Sequence, residues 1–496
     1  MSFLRILFVL AGAGTMALAQ TNNPVEVRRL SLQEAVQLAL TNNLDLQIDR
    51  YNPQIALYTL NGAYGGYDPT WNISGQHDHS ENGSRLLAGG FTIPGSQSDD
   101  NTFSSGINGV SPIGTTYSLQ GNVTDTYGKS AGNTFENTFA SSSFTIDQPL
   151  MKNFWIDNNR LNIRVAKNRV KYSELQLKLQ IMQTVTTLEQ AYYDLIYNRE
   201  NVLVQQKAVE LAERLVMENK KRLEVGALAP LDLQSAEAQA ASSRAAVISA
   251  KSQLGTQERL VKLLITDRYT EWANIPLEPT GSLNSPAPVL NLQDSWSRGL
   301  ADRPDLLQAK LDVERQGIRL KYDRNQLLPE LDAFGSYGYN GSGREFSDTL
   351  FEVQLTDRRF YTYGGKISMP LLNLAARNAY KSDKATGQQL VLSVKKLEQT
   401  IMTQIDNDIG TIRANYDQVQ ATRAAREYQE AALDAEQKKL NSGKSTTYNV
   451  LLVQRDLTNA RGAEIQALDT YNKSLSQLSL DEGSTLERLG INFEVK

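Results

Sequence analysis

Two short stretches hold the residue types from which a reaction or ligand site is usually built. Gly443-Lys444-Ser445-Thr446 spells the end of a phosphate-binding loop. The first glycine of such a loop falls on Lys438, and the residues before it read as helix rather than strand, so a glycine-terminated helix accounts for the stretch without a nucleotide. His77 and His79, the only histidines, alternate along a polar segment with Asp78 between them. On a strand both imidazoles share one face, a spacing that suits a metal. Two imidazoles in a polar segment near a loop also read simply as lumen- or solvent-facing side chains, and no further ligand cluster accompanies them. The chain has no cysteine nucleophile, and no histidine lies on a helical stretch to serve a triad. Most carboxylates fall on helices, where charge solvates an exposed face. We expect no enzyme, no cofactor and no metal.

The elements that would position any site must then explain the chain. Its 496 residues are 40% hydrophobic, and a mean hydropathy of −0.41 leaves it polar on average. With 51 basic against 55 acidic residues, a net charge of −4 and no long like-charge blocks, it offers no phosphate-tracking surface, so nucleic acid is excluded as a partner. Arg5, the apolar run Ile6 to Ala13 and Ala17-Leu18-Ala19 read as an export signal over residues 1–19, cleaved before Gln20. The run is too short to remain as a spanning anchor, which takes about 20 apolar residues. Beyond it no segment is long and apolar enough for a membrane helix, so any spanning falls to strands paired in a closed barrel. The lack of cysteine also removes a lipid-bearing thiol beside the cleavage point.

One plan is written twice. With residue 32 set against 292, Leu32-Gln33 meets Leu292-Gln293, Leu40 meets Leu300, Asp45-Leu46 meets Asp305-Leu306 and Pro69 meets Pro329, without a gap. Each copy reads as a helix, a break at Asn43-Leu44-Asp45 or Arg303-Pro304-Asp305, more helix, and a strand opened by proline. Farther on, Phe144 to Leu150 resembles Lys366 to Leu371, and Arg222 to Gly226 lines up with Lys439 to Gly443. The expected division is signal 1–19, first repeat 20–270, linker 271–290, second repeat 291–480 and tail 481–496.

Residues 160–225 and 377–441 hold almost no proline or glycine, which predicts two very long helices, each about 100 Å at 1.5 Å per residue. Turns at 226–230 and 442–446 lead to helices of about 231–268 and 446–480. Leu175, Leu179, Met182, Val185, Leu188, Tyr192 and Leu195 step by threes and fours, a packing stripe on an otherwise wet helix. The strand regions, about 70–149 and 330–369, alternate as barrel strands do: Tyr117, Leu119, Val123 and Tyr127 share one parity, as do Tyr361, Tyr363, Ile367 and Met369. Gly95 to Asn101 reads as a loop tip. A minimum of two strands per repeat gives four in the chain, too few to close around a lumen, and Ser111-Pro112-Ile113-Gly114 offers a turn for an extra hairpin that would make six. Assembly with further copies is therefore required.

Leu30-Ser31-Leu32-Gln33-Glu34-Ala35 with Ala39-Leu40, the strand exit Gln148-Pro149-Leu150, and the paired elements Val225-Gly226 to Asp232-Leu233 and Ser442-Gly443 to Asn449-Val450 carry a further signal. In their order and spacing the chain resembles the TolC-like outer membrane efflux family over residues 30–480. The resemblance implies an α+β membrane protein: long α-helical hairpins form a periplasmic α-barrel joined to a 12-stranded transmembrane antiparallel β-barrel, with two internal repeats, as a homotrimer. It would sit in outer-membrane lipid, extend into the periplasm, and pass substrates unaltered from a periplasmic adaptor and an inner-membrane pump. The resemblance places Arg222, Leu223, Gly226, Lys439, Leu440, Gly443 and Lys444 at the tip that meets the adaptor. It places Asp232, Asn449 and Leu452, with Tyr448 beside them, at the closing aperture. The family's acidic pair falls here on Asn449 and Leu452 and its basic partner on Ser445, so bulk and hydrogen bonds, rather than an acidic ring, are expected to close this channel. Type I protein secretion keeps the same duct with another cargo. A coiled-coil adhesive stalk is the other reading, but a stalk would keep its strands and helices in single blocks.

Overall fold

The computed structural model describes residues 27–130, 132–226, 228–355 and 358–491; the expected signal peptide lies outside them. The chain starts with β1 (Arg28–Leu30), α1 (Leu32–Asn42), α2 (Leu44–Asp49), α3 (Tyr51–Ala63) and a 3-10 turn, Tyr64–Tyr67. Strands follow: β2 (Thr70–Asn82), the short β3 (Arg85–Leu86) and β4 (Thr92–Ile93), β5 (Ser96–Val110), β6 (Thr116–Ser130) and β7 (Asn133–Pro149). Next come α4 (Asn158–Glu224), α5 (Pro230–Ile265), α6 (Tyr269–Trp272), β8 (Leu277–Pro279), α7 (Leu292–Asp302) and α8 (Pro304–Gln326). The chain closes with β9 (Glu330–Gly343), α9 (Phe346–Leu355), β10 (Arg359–Ser368), α10 (Leu374–Asn441), α11 (Thr447–Asp481) and α12 (Thr485–Arg488). Two compact units result. One holds residues up to Asn43 with Thr187–Pro286 and Asn415–Lys473; the other holds Leu44–Thr186, Ala287–Ala414 and the residues from Ser474 on.

In the first unit, Ser31 caps α1: its side chain accepts from the Glu34 backbone N–H while the Glu34 carboxylate accepts from the Ser31 N–H. The opening Ser-Leu-Gln-Glu is thus a capping box, two orphan donors satisfied at once. Leu30 continues into a parallel pairing of β1 with β8. The buried Tyr192 hydroxyl of α4 donates to the Leu30 carbonyl at 2.9 Å and accepts from the Gly281 N–H at 3.2 Å. The expected linker is bound rather than free. Beyond β8, Tyr471 of α11 donates to the Pro286 carbonyl at 2.6 Å and Asn472 to that of Asn284 at 3.0 Å.

α4 and α10 run 67 and 68 residues. Neither contains a proline, so the backbone ladder is never broken. Met182, Val185, Leu188, Tyr192 and Leu195 of the expected stripe are fully buried, and Leu175 and Leu179 half-buried. α1 and α7 are each 11 residues long and end on an extended residue, Asn43 (φ −63°, ψ 123°) and Arg303 (φ −64°, ψ 120°). In the first unit Asn43 donates to the Leu264 carbonyl at 3.0 Å. In the second, Arg303 bonds Asp305 at 2.8 Å, Asp481 at 3.1 Å and Gln404 at 2.9 Å, and Pro304 opens α8.

The second unit carries one antiparallel sheet in the order β10-β9-β7-β6-β5-β2. Six strands, not the four per copy that a 12-stranded trimer requires, correct the count implied by resemblance. The extra pair is β5 and β6, joined where Ser111 and Thr115 bond across a turn that needs Gly114 at φ +87°. A second correction concerns Gly95 to Asn101. Residues from Ser96 on belong to β5 and pair with β2 on one side and, from Gln97 on, with β6 on the other. Their Ser, Asp and Asn side chains look like a loop, but two neighbouring ladders satisfy the backbone whatever the side chains are.

Candidate functional site

Successive residues of a strand point to opposite faces, so the pairing register sorts the sheet into rows. One face carries the continuous row Trp71, Ile107, Leu119, Phe144, Tyr337 and Tyr361, one residue from every long strand and all of them exposed. Tyr117, Ile146 and Tyr363 lie in the next row on that face, and Leu331 with Ile367 two rows farther. On the other side of the Trp71 row comes a mixed row, Ile73, Ser105, Gly121, Ser142, Tyr339 and Arg359, and beyond it Phe103, Val123 and Ala140 close the zone, with α9 packed over the Gly341 end of their row and Val123 buried. From Leu331 to Gly341 this zone is about ten residues deep, about 33 Å along a strand and about 24 Å tall at a 45° tilt. The opposite face is mostly polar: Asn72, Ser74, Asn108, Ser118, Gln120, Asn122, Ser143 and Thr145 alternate with the apolar positions, and Phe139, Phe334 and Phe360 are aromatic exceptions on it.

His77 and His79 lie on the apolar parity, past the Phe103 row, where that face turns polar. His77 Nδ1 lies 2.8 Å from Asn101 Oδ1, and His79 Nδ1 lies 2.5 Å from Asp99 Oδ1. Both rings are exposed, and among the described residues no group of three or more His, Cys, Asp or Glu is placed to hold a metal. The sequence also spells G-x-S-x-G at Gly128-Lys129-Ser130-Ala131-Gly132. Gly128, Lys129 and Ser130 end β6 and the next strand, β7, starts at Asn133, whereas a nucleophile elbow needs a strand-to-helix turn.

The glycine turns lie in the first unit. Gly443 (φ +72°) donates to the Leu440 carbonyl at 3.1 Å and Lys444 to that of Lys439 at 2.9 Å, the paired bonds of a left-handed helix terminus that glycine adopts without strain. Gly226 (φ +73°) makes the corresponding bond to Leu223 at 2.9 Å. Lys444 is exposed, and Lys439 reaches back to Glu436 at 3.1 Å. Leu440, expected at the outer contact, is instead 6% exposed, packed with Leu215, Leu433, Val450 and Leu457. It sits on the inward stripe of α10, so it is a core residue. Arg222 also turns inward: it joins the two turns by donating to Asn441 Oδ1 at 2.9 Å and to the Leu440 carbonyl at 3.4 Å.

Tyr448, Asn449 and Leu452 share the side of α11 opposite the buried Val450 and Leu457; Tyr448 and Asn449 are exposed and Leu452 half-buried. Asp232 stands in the first turn of α5, and no hydrogen bond among the described residues ties it to them. Glu436, which sequence reasoning missed, braces the second turn. Its carboxylate accepts from Ser445 and pairs with Lys439, and the Ser445 hydroxyl above all holds it below the ordinary glutamate range. Its position seven residues before Gly443, one turn beyond the local capping signals, gave no motif to read.

A sheet with one lipid-type and one water-type face, attached to paired helices of such length, defines the class of membrane channel subunits. The profile described as "Outer membrane efflux protein" matches residues 113–265 and 296–480, and the chain belongs to that family. It is 22% identical over 380 residues to the outer membrane efflux protein BepC of Brucella suis, covering 74% of this chain and 78% of that one. It is likewise 22% identical over 357 residues to the outer membrane protein TolC of Vibrio cholerae, covering 69% and 78%. Among solved structures, the outer membrane protein VceC of Vibrio cholerae shares the fold with a TM-score of 0.65 at 17% identity, over 93% of this chain and 97% of that one. The protein is an outer-membrane exit channel for efflux, in a family of channels rather than enzymes.

Proposed function

We propose that copies of this chain close into a ring, a homotrimer as the family resemblance implies. The sheets would form a transmembrane β-barrel, and the helices would line a water-filled bore. The single observation that carries this reading is the two-faced sheet with unpaired edges. Unsatisfied backbone groups cannot remain in lipid, where each costs several kcal/mol, so the sheet must close through other copies. Duplication of one ancestral unit is supported by the matched lengths and breaks of α1 and α7, and export by the leader at residues 1–19.

In this reading a periplasmic adaptor docks at the turns through Leu223, Gly226, Lys439, Gly443 and Lys444, with Arg222 tying the two turns behind them. An inner-membrane pump delivers substrate, which passes unchanged. Asp232, Tyr448, Asn449 and Leu452 narrow the bore. Replacing Leu452 with Gly removes an apolar plug, so single-channel conductance in planar bilayers is expected to rise; equal conductance would remove Leu452 from the aperture. A photo-cross-linker at Lys439 in cells is expected to capture a periplasmic adaptor, and capture of none sinks the docking assignment.

A further inference from the structure

Past its apolar zone, the Trp71 face of the sheet carries polar groups that the chain itself does not satisfy. Asp99, Tyr127 and Glu136 form one row across β5, β6 and β7, and Lys129 and Thr134 belong to the next. With Arg344, between β9 and α9, they line a cavity of about 790 Å³. Asp99 already pairs with His79 at 2.5 Å. The side chains of Lys129, Tyr127, Glu136 and Arg344 have no hydrogen bond or ion pair among the described residues, although two cations and a carboxylate share one wall. Arg358, just before β10, is by contrast engaged by Ser342 and by Glu352 at 3.4 Å. Close packing of α9 fixes the rim beside Arg344: at Gly341 and Gly343 a Cβ would stand within 2.7 Å of Thr349.

The depth of the cavity follows from the register. Tyr127 lies four residues beyond Val123, in the last apolar row of β6. That is about 13 Å along a strand and about 9 Å higher at a 45° tilt. The polar layer of a bilayer adds about 5–7 Å beyond the hydrocarbon on each side, and a head group built of sugars reaches farther. The long helices leave the sheet at its other end, after Pro149 and Ser368, so the cavity lies on the side away from the periplasm. β5, β6 and β7 are inner strands, and closure at β2 and β10 leaves the cavity open to lipid.

We propose that this cavity binds the phosphorylated sugar head group of an outer-leaflet glycolipid. Lys129 and Arg344 hold the phosphate by charge-assisted hydrogen bonds, with the planar guanidinium able to take two oxygens at once. Glu136 accepts from sugar hydroxyls, and Tyr127 offers a ring for the sugar's C–H face and a hydroxyl for its edge. Two free cations against one free carboxylate leave the charge that a phosphate matches. The volume falls in the range of ordinary ligand pockets and holds a sugar ring with its phosphate. The proposal rests on the channel reading above, because it takes the Trp71 face as the lipid face.

The full-length protein, purified from outer membranes and stripped of native lipid in detergent, is titrated by native mass spectrometry with phosphorylated lipid A and with the same glycolipid after enzymatic dephosphorylation. The phosphorylated form is expected to bind about tenfold tighter or more; equal binding overturns the site. That arm uses the unaltered chain, so it stands even if a variant fails to fold. Lys129→Ala combined with Arg344→Ala is expected to erase the preference, whereas Arg358→Ala is expected to keep it. A preference that survives the double change, or is lost equally in Arg358→Ala, overturns the assignment. Inorganic phosphate at the glycolipid's own concentration is expected to displace none of it, and displacement makes this a free-phosphate site instead. Bilayer conductance on the same samples separates the two ideas. Preferential binding without current ends the duct reading and leaves the site, and current with equal binding of both glycolipids does the reverse.

Discussion

The two helical hairpins, α4–α5 and α10–α11, share a plan and differ in fastening. Both turn on a glycine at φ near +70°, with the same bond back to the residue three before it. At the second turn, Leu433, Leu440, Val450 and Leu457 pack with Leu215. Along the same hairpin, Arg426 bonds Glu464 at 2.6 Å and Glu430 at 3.0 Å, Arg461 bonds Glu430 at 2.8 Å, and Arg423 reaches Glu464 at 3.4 Å. In the half nearer its turn the first hairpin instead buries small residues of α5, Ala236, Ala240, Ser243 and Ala250, with Val261 and Ile265 buried only toward the far end. Its interhelical ion pairs among the described residues are exposed, Arg244 with Glu213 at 2.7 Å and Lys220 with Glu237 at 3.4 Å, beside one hydrogen bond from Gln257 to the Ala191 carbonyl at 2.9 Å. Exposed pairs contribute little, whereas a large apolar cluster and a partly shielded network contribute more. The same turn grammar thus yields one firmly zipped hairpin and one looser hairpin.

Hydrogen exchange, read hairpin by hairpin, tests that contrast. Leu440→Ala is expected to lower protection around the second turn by about 2–4 kcal/mol, while Leu223→Ala, half-buried at the first, costs about 1 kcal/mol or less. Equal losses would erase the difference. Arg426→Ala leaves the Glu464 carboxylate, only 14% exposed, with the 3.4 Å Arg423 contact alone, and is expected to cost about 1–2 kcal/mol; Arg244→Ala, at a side chain 62% exposed, costs under about 0.5 kcal/mol. Gly226→Ala and Gly443→Ala are the internal control. Both positions demand positive φ, so each is expected to cost about 1 kcal/mol, and a large disparity would show that the turns themselves differ.

The smallest expected effect is in pH. Glu430 is held below its ordinary value of 4.5, first by the Arg461 hydrogen bond, and Glu436 by Ser445. Depressed carboxylates add stability that is present above pH 4.5 and lost as the pH falls through their lower native values. Protection of α10–α11 is expected to decline in that acid range and to decline less in Glu430→Gln. An identical decline in the variant would remove Glu430 as a cause.

The plan of the chain was legible where local physics sets it. The breaks at Asn43 and Arg303, the glycine termini and the long proline-free helices each follow from neighbours within a few residues. Partners distant in sequence were not legible. Nothing near Leu440 says that its side of α10 faces Leu215, about 225 positions earlier, and nothing near Arg222 announces Asn441. The β5–β6 hairpin was half visible in its turn residues, while Ser96 to Asn101 looked like loop because polar side chains hide a strand whose ladders are satisfied on both sides.

The central claim is that the sheet has a lipid side and a water side. Single cysteines placed along β6 from Tyr117 to Thr124, in intact outer membranes, test it most directly with a charged, water-soluble maleimide. Labelling is expected to alternate, strong at Ser118, Gln120, Asn122 and Thr124 and weak at Tyr117, Leu119 and Val123. Uniform labelling along the strand would contradict a wall between lipid and a water-filled lumen.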